Sequence, residues 1–208
     1  MTTVPAVMSS LSSIPSELLF LFEDPPLLRG EDRNAHRSLA AGVLAAIRPE
    51  DAVVLLFVKE FVEATWDIQR WRKMRTLLIS MTQKDALRDI LESLLGKDDI
   101  PEGSDRRATA EGMVEKWFYD PGSQMPVRRI LGRLNLSDSA IEAQAAVLRL
   151  GDITMLEELI ESAERRRKQA LGMIEIYRAS LATQLRAISL GEMIKGEKQN
   201  IPLVPNLK

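Results

Sequence analysis

The stretch Asp152–Ser189 constrains the fold more than any other. It holds no Pro and a single Gly, Gly172, so it predicts one uninterrupted helix. At ~1.5 Å per residue this rod measures roughly 55 Å, longer than a compact domain of this size is wide. The rest of the chain must pack along it or leave part of it for a partner. Ile160, Ala163, Ala170, Ile174, Tyr177, Leu181 and Ile188 follow steps of three and four, with Arg167 and Gln184 at the two interruptions. That is a heptad seam of the coiled-coil kind. The block Glu164–Gln169 contains no apolar residue and divides the rod into two apolar parts. In the second part Met173 and Ile176 widen the apolar surface, which predicts more than one neighbour there. The pairs Glu161/Arg165 and Glu164/Lys168 have the favourable i,i+4 order, which fits a solvated face packed on the chain's own body.

The remaining segments predict an all-α fold: a multi-helix body over residues 15–150 and the long C-terminal helix over 151–190. Residues 1–14, rich in Ser and Thr, are expected to be a flexible N-terminus, and 191–208 a flexible tail. Ser16 is placed as the N-cap of a short apolar helix, Glu17–Phe22. Helices follow at 32–47, ended by Pro49, and at 50–80. The run Ala52–Val58 is apolar all round and expected to be buried on most sides. Phe57, Phe61, Ala64, Ile68, Trp71, Met74, Leu78 and Met81 continue it as a stripe. Thr82 with Asp85 resembles a capping box, so the helix is expected to break there and restart over 83–95, ending at Gly96. Residues 97–104 form a polar loop and a candidate internal linker. Further helices are expected at 105–119, 127–134 and 139–150. Gly151 and Gly191 are read as stops on either side of the rod.

Composition narrows the chemistry. The chain has no Cys and one His, His36, which removes thiol catalysis, Cys-ligated metals and sites with several His ligands. A helical di-iron site would want Glu-x-x-His, and Arg33 stands three residues before His36. The glutamate pairs Glu60/Glu63 and Glu157/Glu161 each lie on a single helix and could face each other in a bundle. Gly191–Lys198 has Glu197 where a phosphate-binding loop needs Lys, and no strand precedes it. We therefore expect no catalytic residue, no cofactor and no metal. Net charge is −2, so no global basic field announces nucleic acid. No secretory leader is visible and the apolar runs are far shorter than the ~20 residues a membrane span needs. A cytoplasmic protein without membrane contact is expected.

Two surfaces remain as functional candidates. The first is the second half of the rod, with Ile174, Tyr177, Leu181, Leu185 and Ile188 as a contact surface for a second copy or a helical partner. The expected function is that of a non-enzymatic interaction or assembly protein. The second is basic: Arg70, Arg72, Lys73 and Arg75 around Trp71, and Arg165, Arg166, Arg167 and Lys168 on the rod. Cations interleaved with an aromatic can hold phosphate and stack on a base, so a nucleic-acid-binding accessory protein is the alternative. Asp67, three residues before Arg70, fits an ordinary ion pair instead. The segment 127–150 has the length of a helix-turn-helix, but its second helix offers little beyond Gln144 and Arg149 to read bases.

The stretches Pro49-Glu50-Asp51-Ala52 through Trp66-Asp67-Ile68-Gln69-Arg70, and Ser162-Ala163-Glu164-Arg165-Arg166, resemble a group of uncharacterised bacterial proteins of similar length. The group carries no assigned activity, so the resemblance implies no functional residue.

Overall fold

The computed structural model describes residues 18 and 20–199, with side chains of the last helix to residue 188. The expected cap at Ser16, the N-terminus 1–14 and the end of the tail, 200–208, lie outside the described residues. The fold is all-α: α1 (Phe20–Glu23), α2 (Arg33–Ile47), α3 (Ala52–Leu94), α4 (Arg106–Tyr119), α5 (Met125–Gly132), α6 (Ser139–Leu148) and α7 (Leu150–Gln199), with no strand among the described residues. The chain divides into two compact units. One takes the residues up to Trp66 together with those from Ala163 onward; the other is Asp67–Ser162.

The first unit is built on local signals, of which Pro49 as the stop of α2 was legible in the sequence. Asp32 caps α2, its carboxylate accepting from the amides of Asn34 (2.8 Å) and Ala35 (3.2 Å). Arg48 ends α2 in the left-handed region (φ 49°), its amide donating to Leu44 O, and Pro49 prevents continuation. Asp51 caps α3 through the amides of Val53 (2.8 Å) and Val54 (2.9 Å). The core joins Phe22, Ala40, Leu44, Val54, Leu55, Val58 and Val62 with Ile174 of α7; Leu39, Val43, Phe57 and Tyr177 pack at its edge. His36 is buried and meets the ring of Trp66 edge-on at 5.1 Å. One expectation fails here. The first turns of α3 are buried on one side only, through Val54, Leu55 and Val58, while Val53 and Leu56 are exposed. A short run of Val and Leu on a helix does not reveal how many neighbours it has.

The second unit comprises the later part of α3, α4, α5, α6 and the start of α7, and its core joins Leu87, Leu91, Leu95, Val114, Trp117, Val127, Leu131 and Ile141 of the first four. Asp105 caps α4 through the amide of Ala108 (2.6 Å), and Pro126 sits in the first turn of α5. Asn135 takes the left-handed conformation (φ 54°) in the turn before α6. The expected break at Thr82 does not occur. Thr82 is buried inside continuous α3, its hydroxyl donates to Leu78 O (2.8 Å), and it accepts from Arg149 Nε (3.3 Å). Asp85, the other half of the apparent capping box, pairs with Arg88 at 3.0 Å. Met81, placed on the buried stripe, is exposed. Gly151 lies inside α7, because the turn comes at Arg149, and α7 passes Gly191 to reach Gln199.

The loop 97–104 belongs inside the second unit. Arg133 donates to both carboxylate oxygens of Asp99 (2.6 and 2.7 Å), and the Gly96 amide adds a third bond at 2.9 Å. The Arg133 guanidinium first, then that amide, holds the Asp99 carboxyl at about 2 against an ordinary 3.8. A carboxylate with a depressed pKa contributes stability that is present above the unfolded value of 3.8 and is lost as pH falls toward about 2. Arg133→Ala should return the Asp99 titration to the ordinary carboxylate range and remove this acid dependence. Carboxyl titration by NMR checks it, and an unshifted Asp99 in the variant would contradict the assignment.

Candidate interaction surface

The five residues read as a contact surface on α7 fall into two groups. Ile174 is buried in the core of the first unit and Tyr177 is half-buried at its edge, so these two are not available as expected. Leu181 is half-buried; Leu185 is 65% and Ile188 58% exposed. The changeover comes at Arg178. Its guanidinium donates to Ile47 O and, at 3.4 Å, to Arg48 O, placing a cation on the C-terminal carbonyls of α2. From Arg178 to Ile188 every residue is exposed except Leu181. Steps of four and three from Leu181 through Leu185 to Ile188 put these three on one stripe. The seam that buries Ala163, Ala170 and Ile174 thus continues through half-buried Leu181 to exposed Leu185 and Ile188. Met173 and Ile176, expected to meet a second neighbour, are exposed.

The basic clusters sit among acids. Arg70 pairs with Asp67 at 2.7 Å and lies 5.9 Å from the Trp71 ring centre; Trp71 itself is half-buried. Arg75 pairs with Glu157, a residue 82 positions away. Arg72 and Lys73 are exposed. In the second cluster Arg166 pairs with Glu60 at 3.2 Å, Arg167 is half-buried, and Arg165 and Lys168 are exposed. The first cluster belongs to the second unit and the other to the first. Other cations also have local duties. Arg106 donates to Glu92 O (3.0 Å) near the end of α3, and Arg128 lies over Trp117 at 5.7 Å. Lys84 donates to the Tyr119 hydroxyl (2.6 Å), and that bond raises its pKa.

The glutamates considered for a metal have cationic partners: Glu60 with Arg166, Glu63 with Lys59, Glu157 with Arg75. Among the described residues no group of three or more metal-ligating side chains converges, and no helix is long and apolar enough to cross a membrane. The helix-turn-helix candidate uses Val127, Ile130, Leu131, Ile141 and Ala145 in the core of the second unit. No protein family, curated protein or solved structure matches the chain.

Proposed function

We propose that the chain is a helical interaction protein that assembles through the end of α7, against a second copy of itself or an apolar helix of a partner. One observation carries this reading: the apolar seam of α7 runs on from half-buried Leu181 to exposed Leu185 and Ile188, past the bond that Arg178 makes to the end of α2. A helix buries such a stripe against another helix when one is offered. The basic clusters give less support to nucleic-acid binding, since Arg70, Arg75 and Arg166 are each held by a carboxylate. The double variant Leu185→Asp, Ile188→Asp tests the proposal by sedimentation equilibrium. We expect association at least ~10-fold weaker than in the parent chain, with helicity unchanged, because both positions are exposed. Equal association of variant and parent would remove the end of α7 as the contact.

A further inference from the structure

A second surface lies wholly within the second unit. There α3 and α7 run antiparallel: Arg75 meets Glu157, and Thr82 meets Arg149 just before α7 begins. This register sets Lys73 level with Glu158 and Leu77 level with Met155. On each helix an exposed apolar pair sits one residue before a more buried pair. Leu77 and Met81 precede Leu78 and Thr82; Met155 and Leu159 precede Leu156 and Ile160. An antiparallel pair has a local twofold normal to its plane, so equal offsets from the seam emerge on the same side. The result is one face with four apolar side chains at its centre, on which Met81 is 80% and Met155 56% exposed.

The flanks of this face differ in charge. Arg70, Lys73 and Lys84 share the stripe of Leu77 and Met81 on α3 in steps of three and four, Arg70 paired with Asp67 and Lys84 with Glu115. On α7, Asp152 and Glu158 stand three residues either side of Met155, Glu157 and Glu161 fall outside this stripe, and the segment from Leu150 to Ser162 has no Lys or Arg. We infer that this face docks on the same face of a second copy, about a twofold axis parallel to the helices. That axis exchanges the two flanks, so each basic α3 lies over an acidic α7. It also preserves level, so Lys73 meets the partner's Glu158 and Leu77 the partner's Met155. Every helix of the resulting four-helix layer is antiparallel to its neighbours, and an isologous contact closes without leaving an open end. A twofold axis across the helices would instead set basic on basic, and like charges across an interface oppose association. A face carrying both signs on opposite flanks complements itself better than it complements a uniformly charged polyanion. This dimer is separate from the contact at the end of α7; together they would present that end twice, adding avidity for a partner.

The test uses the full chain in the Leu185→Asp, Ile188→Asp background, so that only the second-unit contact is read. Light scattering over a concentration series should find a dimer of this parent. Lys73→Glu alone and Glu158→Lys alone should each weaken it ~10-fold, because each change sets two like-charge contacts across the twofold axis. An equimolar mixture of the two variants should regain the parent affinity to within ~3-fold, since their mixed dimer restores both pairs. Repair of a contact within one chain cannot produce that rescue on mixing. Met81→Asp should abolish the dimer with helicity intact. A monomeric parent, a mixture no tighter than its components, or nucleic acid co-eluting with the parent and lost in Lys73→Glu would each overturn the inference.

Discussion

Ile174→Asp should unfold the core of the first unit, not merely weaken an assembly. Ile174 is 3% exposed and packs with Leu44, Val54, Leu55 and Val58. Removing its side chain from an apolar core loses ~2–4 kcal/mol of burial and packing. The new carboxylate must then be desolvated, draw Arg178 from the carbonyls of Ile47 and Arg48, or take up a proton, at a further cost of several kcal/mol. A total of about 5 kcal/mol or more reaches the whole stability of many small domains. Amide hydrogen exchange checks this directly: protection at Val54, Leu55 and Val58 should collapse in Ile174→Asp. Ile174→Val should cost only ~1 kcal/mol, and Leu185→Asp should stay within ~0.5 kcal/mol of the parent. Retained protection in Ile174→Asp would mean that Ile174 lies on an open surface after all.

The contrast between Ile174 and Leu185 marks what the sequence can carry. The heptad seam of α7 was legible because burial against any neighbour selects apolar residues at the same spacing. For the same reason the spacing is silent on which neighbour. Ala170, Ile174 and Leu181 obey one pattern, yet the first two meet the chain's own core while the pattern runs on toward Ile188 in the open. The end of the body is set by α2, whose last carbonyls receive Arg178 from 131 residues away. Helix starts near Asp32 and Asp105 and stops at Pro49 and Gly96 were readable because such signals act within a few residues. Long-range charge was not. Arg75 reads as part of a basic cluster until Glu157 is beside it, and Arg166 likewise until Glu60 is. The acidic run from Asp152 to Glu161 was visible in the sequence, but only the antiparallel register gives it an opposite number on α3.

Thr82 and Asp85 show a local signal losing to its surroundings, and Gln83→Pro measures by how much. Had a helix begun after Thr82, Gln83 would be its first residue, where Pro is favoured because its missing amide hydrogen would have no partner anyway. In continuous α3 the same change removes an interior backbone bond to Ile79 and drives the proline ring against that carbonyl. The expected cost is then ~3 kcal/mol or more, against a few tenths for Gln83→Ala. The helix stays whole because a break would strip neighbouring apolar side chains from cover: Ile79 packs against the second-unit core, and Ala86, Leu87 and Leu91 are buried in it. Thr82 also has uses inside the helix, donating to Leu78 O and receiving Arg149, so it has no need to cap. Urea denaturation of the two variants, followed through Trp117 in the second-unit core, separates the possibilities. A midpoint for Gln83→Pro equal to that of Gln83→Ala would restore the break, whereas a large shift fixes α3 as one helix across the position where its sequence most resembles a start.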